Sequence, residues 1–118
     1  MTTARCWLCT LLIRYGGADA LRAVPLADFE RDLAAMVALA QAAGKRVLLV
    51  GVIATATGET DDFDLAVERT ADAHGTGFVD VRAVPYTLPD DLADAVHPAQ
   101  AWSDRITAAI VRHLQNPV

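Results

Sequence analysis

Serine is almost missing from this chain. Ser103 is the only one in 118 residues. Cysteine is limited to Cys6 and Cys9, and aromatic residues make up 6% of the chain. No apolar run approaches the 18 or more residues that a membrane-spanning helix needs. The longest near the start, Trp7 to Ile13, is broken by Arg14. Basic charge is also short: ten Lys and Arg stand against fifteen Asp and Glu, giving a net charge of -5. Phosphate backbones call for a basic surface, so nucleic acid is not an expected partner. No G-x-G-x-x-G or P-loop is present, which counts against a flavodoxin-like nucleotide-binding or receiver domain. A secretory leader would need a basic start, an apolar stretch and a small-residue cleavage site. None is readable here, and a cytoplasmic location is the expectation.

What is present suits one globular domain: 53% hydrophobic residues, 21% charged, and no repeat or low-complexity tract. Cys6 and Cys9 form a C-x-x-C inside an apolar, strand-like run, where residues three apart point to opposite faces. They read as small buried hydrophobes rather than a redox pair, and no second cysteine pair exists to complete a zinc site. No cofactor or metal is expected.

Strands and helices alternate. Arg5 to Ile13 is an apolar run of the kind covered on both faces of a parallel sheet. Tyr15 to Val24 reads as a glycine loop. Pro25 to Ala43 is an amphipathic helix with Phe29, Leu33, Met36, Val37 and Ala40 on its core face. Arg46 to Ile53 is a second strand, Asp62 to His74 a second helix and Gly77 to Val81 a third strand. A long loop from Arg82 to Val96 precedes a last helix, Pro98 to Leu114, with Trp102, Ile106, Ala109, Ile110 and Leu114 inward. Pro98 suits a first helical position and places His97 at the N-cap. This order predicts a parallel α/β sheet with helices on its faces. Ligands in such sheets bind beyond the carboxyl ends of the strands. Gly16 to Arg22 and Asp94 to His97 both follow strand ends, and topology brings them to one edge.

Asp94-Ala95-Val96-His97-Pro98 carries the chemistry. A serine esterase needs an imidazole to move the nucleophile's proton and a carboxylate to hold the ring in the right tautomer. An Asp three residues before a His lets one turn supply both. The same residues could equally cap a turn and a helix. Other polar groups read as structural: His74 and His113 lie near helix C-termini, where a partly charged imidazole is favourable. Glu59, Asp61, Asp62 and Asp64 lack the spacing of a calcium loop and read as a solvated helix start.

Gly16-Gly17-Ala18-Asp19-Ala20-Leu21-Arg22, Leu33-Ala34-Ala35-Met36-Val37-Ala38-Leu39-Ala40, Ala43 to Gly51 and Asp94 to Pro98 together give the chain a family resemblance. It resembles the SGNH (GDSL-type) hydrolase superfamily, in its esterase and lysophospholipase-like branch, over about residues 8 to 114. The family's G-x-N-D block, its following helix and strand, and its final D-x-x-H-P block match these stretches in order.

The resemblance implies a three-layer, flavodoxin-like fold, here reduced to about three strands with flanking helices. It implies one partial domain over residues 1–118, the C-terminal portion of the family fold. Asp94 and His97 would be triad acid and base, Gly16 to Asp19 would form the oxyanion block, and small acyl esters would be substrates. Three departures qualify this. Ala18 stands where the family has its oxyanion Asn. The G-D-S nucleophile block is not found, so the chain is expected to start at the family's third strand, and Met1-Thr2-Thr3-Ala4-Arg5 fits a misplaced start. Ser103 lies within the last helix rather than on a strand-to-helix turn. The expectation is a catalytically incomplete chain, or a pseudoenzyme that assembles as a homodimer through Arg5 to Ile13.

Overall fold

The computed structural model describes residues 10–94 and 96–115. Cys6 and Cys9, and the first half of the expected strand Arg5 to Ile13, lie outside them. In chain order the elements are β1 (Thr10–Arg14), α1 (Gly17–Leu21), α2 (Leu26–Ala42), β2 (Arg46–Val50), α3 (Asp61–His74), β3 (Gly77–Val79) and α4 (Gln100–Gln115). The strands form one parallel sheet in the order β1-β2-β3. Thr10 to Arg14 pair with Arg46 to Val50, and Leu48 to Val50 pair with Gly77 to Val79.

Alternation along β2 builds two cores. Val47 and Leu49 face one side, where Phe29, Leu33, Val37 and Ala40 of α2 meet Phe63, Ala66, Val67 and Ala71 of α3. Leu48 and Val50 face the other, against Val79, Val81 and the buried Trp102, Ile106 and Ala109 of α4. The expected α/β sheet with helices on both faces is therefore present. Each fully buried large side chain in these layers stabilises the fold by about 1.5–3 kcal/mol. No described helix is long and apolar enough to cross a membrane.

Several local expectations are corrected. Gly17 to Leu21 form a short helix rather than a loop, closed by Ala20 N–H to the Gly16 carbonyl and Arg22 N–H to the Ala18 carbonyl. Ala18, Asp19 and Ala20 follow the glycines, and alanine's helix preference prevails beyond Gly16. The last helix begins at Gln100, not Pro98. Pro98 instead forms an antiparallel bridge with Leu92, and Ala93 N–H donates to the His97 carbonyl. With the first helical residue at Gln100 and Pro98 held in the bridge, His97 lies before the helix start and is not an N-cap.

β1 is not covered on both faces, since Leu11 and Leu12 are 42% and 41% exposed. Met36 is likewise at the surface rather than in the core. Finally, Asp64 is buried, so the acidic run is not simply a solvated helix start.

Candidate active site

The carboxyl ends of the parallel strands carry three loops, one after each strand. The loop after β3 is tied down before it reaches Asp94 and His97. Arg105 of α4 donates through Nε to the Pro85 carbonyl at 2.9 Å and pairs with Asp91 at 3.1 Å. Asp91 also accepts the Thr87 N–H at 2.7 Å, and its carbonyl accepts the Ala99 N–H at 2.7 Å. Tyr86 stacks on Trp102, with ring centroids 4.5 Å apart. Leu88 and Leu92 pack on the α4 core. The loop is thus a folded strap whose tip is Asp94 to His97.

At that tip Asp94 performs both of the roles its spacing allowed. Its Oδ1 accepts the backbone N–H groups of Val96 and His97, each at 2.8 Å. Its Oδ2 lies 2.8 Å from His97 Nδ1. A carboxylate at Nδ1 favours the tautomer with the proton there, which leaves the Nε2 lone pair outward. Among the described residues Nε2 has no hydrogen-bond partner. The N–H of Val96, then the His97 ring and the His97 N–H, hold the Asp94 carboxyl below the usual carboxylate range. The pair lies in solvent, with side chains 56% and 72% exposed.

The loop after β1 begins with Gly16, whose φ is 127°. A Cβ there would meet Val52 Cγ2 at 3.0 Å and the Phe29 ring at 3.1 Å, so the position admits only glycine. Gly17 has open space around it. Ala18 presents a methyl group to solvent at the position expected to donate to an oxyanion. Asp19 accepts a hydrogen bond from the Tyr15 hydroxyl, which pushes the Tyr15 pKa up. Tyr15 in turn stacks on Phe29, with centroids 5.3 Å apart. Gly16 to Asp19 and Asp94 to His97 therefore share one edge of the sheet. They follow β1 and β3, two strand spacings or about 10 Å apart. No hydrogen bond among the described residues joins them. Ser103 is half-buried inside α4, where its carbonyl accepts from the Thr107 hydroxyl and no bond to His97 forms.

Between these loops sits a bracket that sequence reasoning missed. Asp64 Oδ1 accepts the Val52 N–H at 2.7 Å, just past β2. Arg82 donates to the Val52 carbonyl at 2.9 Å, to Thr60 Oγ1 at 3.0 Å and to Asp61 at 2.6 Å, and lies 3.4 Å from Asp64. Thr60 donates to the Ile53 carbonyl at 2.6 Å. Gly51 is required because a Cβ there would fall 2.7 Å from Asp64 Oδ1. Burial raises the Asp64 pKa against the lowering by the Val52 N–H and Arg82. One signal was available: Asp64 lies on the same helix face as Val67 and Ala71. His74 is structural, its Nδ1 3.0 Å from the Thr70 carbonyl.

No protein-family model matches the chain, and no curated protein matches it. Solved structures do. TesA is 28% identical, with a TM-score of 0.74 over 91% of this chain and 62% of its own. A lipolytic protein of the G-D-S-L family from Desulfitobacterium hafniense is 20% identical, with a TM-score of 0.77 over 88% of this chain and 64% of its own. Axe2, an acetylxylan esterase from Geobacillus stearothermophilus, is 20% identical, with a TM-score of 0.75 over 91% and 59%. The chain spans about three-fifths of the length of these structures. The likeness to TesA and to a lipolytic protein of the G-D-S-L family supports a relationship of this chain to the SGNH (GDSL-type) hydrolases, whose fold it has.

Proposed function

We propose that this chain carries the acid–base pair of an SGNH-type acyl-ester hydrolase and turns over esters weakly or not at all by itself. The observation that supports the pair is Asp94 at 2.8 Å from His97 Nδ1, with Nε2 left for a nucleophile's proton. The proposed shortfall rests on two others. Ser103, the only serine, is held in α4 away from His97, and Ala18 offers no side-chain donor to an oxyanion. Losing one such donor typically lowers turnover by about 10²–10³. Small acyl esters are the proposed substrate class, in line with an acetylxylan esterase among the similar structures. Hydrolysis of p-nitrophenyl acetate tests the reading. The expected result is turnover near background that phenylmethylsulfonyl fluoride and Ser103→Ala leave unchanged. Turnover well above background, abolished by Ser103→Ala and by His97→Ala, would overturn the incomplete site.

A second reading is favoured by β1. Its outer edge has no strand partner among the described residues, and Leu11 and Leu12 are half-exposed. An open apolar edge invites pairing with another strand. In this reading the chain is a non-catalytic assembly module that pairs through its first strand.

A further inference from the structure

Leu39 is 72% exposed, the most exposed large apolar side chain among the described residues, and Met36 is at the surface beside it on α2. Their direction follows from the contacts of the same helix. Glu30 pairs with Arg69 of α3, and Gln41 donates to the His74 carbonyl at the end of α3. The flank bearing residues 30 and 41 therefore faces α3. At about 100° per residue, Met36 and Leu39 fall on the opposite flank. That flank lies above the free edge of β1, because α2 and α3 pack side by side on one face of a sheet ordered β1-β2-β3.

Alternation along β1 extends the strip. Ile13 packs on the core between α2, α3 and the sheet, so Leu11 points to that same face. The strip runs from Leu39 and Met36 through Leu11 to the outer edge of β1, which has no strand partner among the described residues.

We infer that this strip, helix flank and strand edge together, is a two-fold interface with a second copy of the chain. The proposal rests on the assembly reading and names its partner and the helix that completes it. Self-complementarity singles out the second copy. Antiparallel pairing of β1 with itself about Leu12 sets Leu12 opposite Leu12, Leu11 opposite Ile13 and Thr10 opposite Arg14. Apolar side chains then meet apolar ones, and Arg14 has no like charge across from it, an arrangement that cross-strand pairing favours. A two-fold axis perpendicular to the sheet keeps both α2 helices on the same face. Leu39 and Met36 then meet their own counterparts, as an isologous contact requires. The charged neighbours do not oppose this, because Arg31 is already paired with Asp28 and Asp32 of its own helix. The result is a continuous six-stranded sheet with α2 packed on α2.

Light scattering on size-exclusion fractions over a concentration series, from about 1 to about 300 µM, tests this. The expected species is twice the 12.6 kDa chain mass. Leu39→Glu is expected to weaken dimerisation at least tenfold without changing the circular dichroism spectrum. Leu65→Glu, at an exposed leucine of α3, is expected to leave the dimer intact. Hydrogen exchange at the β1 amides should slow with concentration in the natural chain and not in Leu39→Glu. A dimer dissolved by Leu12→Lys but indifferent to Leu39→Glu would overturn the helix contact and leave the assembly reading standing. A monomer throughout the series, or a dimer with unprotected β1 amides, would overturn both.

Discussion

Two carboxylates at the carboxyl edge of the sheet do similar work in opposite surroundings. Asp94 accepts two backbone N–H groups and faces the His97 ring. Asp64 accepts one backbone N–H and faces the Arg82 guanidinium. Yet Asp94 titrates below its ordinary value and Asp64 above it. The difference is water. In solvent, hydrogen bonds to the charged form act almost unopposed. In the interior, desolvation outweighs both the N–H and the guanidinium. The Asp94 carboxylate, favoured in its charged form, lies against the Nδ1 of the imidazole. Asp64 braces the end of β2 between the loops that follow β1 and β3.

The contrast can be broken most forcefully at its buried side. Asp64→Ala leaves the Val52 N–H without its acceptor and removes the carboxylate beside Arg82, and is expected to cost about 1–3 kcal/mol. Thermal unfolding should drop by roughly 5–15 °C. Arg82→Met keeps the apolar stem while losing the contacts to Val52, Thr60 and Asp61, and is expected to cost about 1–2 kcal/mol in urea melts.

Acidity sharpens the comparison, because the signs differ. A raised Asp64 pKa means that the native state binds the extra proton. The stability tied to Asp64 is therefore greatest below the ordinary carboxylate range and is lost as pH rises through its folded pKa. The stability gap between the natural chain and Asp64→Ala should narrow over that rise. The turn at Asp94 behaves conversely: it is intact above the ordinary range and lost as pH falls through the depressed pKa. Amide shifts of Val96 and His97 should report the loss.

The smallest effect on stability is expected from Asp94→Asn, which should lower the melting temperature only slightly, because the side chain is exposed. Its mark is chemical: nitrogen-15 shifts of the His97 ring should show the Nδ1-protonated tautomer giving way to a mixture. An unchanged tautomer would remove Asp94 from the acid–base pair.

Much of the fold could be read from residue order. β2 is a short apolar run that follows Lys45-Arg46, and α2, α3 and α4 show their helical periodicity. The parallel sheet followed from their alternation. The misses share one cause, because each depended on a neighbour distant in sequence. Met36 fits the apolar repeat of α2, but it lies beyond the flank that the sheet and α3 cover. Asp64 reads as one acid among four until the Val52 N–H arrives from the end of β2. The helix after His97 was placed too early because Leu92 and Ala93 fold back to hold Pro98 and His97 extended.

The pair at Asp94 and His97 was a local matter. A three-residue spacing lets one turn bring a carboxylate to Nδ1, and the sequence alone determined that. It determined equally that Ser103 is the only serine and that Ala18 carries no donor, since both are facts of covalent composition. Only the tertiary structure decided which carboxylate stands in water and which is buried, which leucines stay uncovered along β1 and α2, and how far the glycine loop lies from the histidine. Those depend on how helices distribute themselves over two faces of a three-stranded sheet, and burial is set by that packing rather than by any residue's own chemistry.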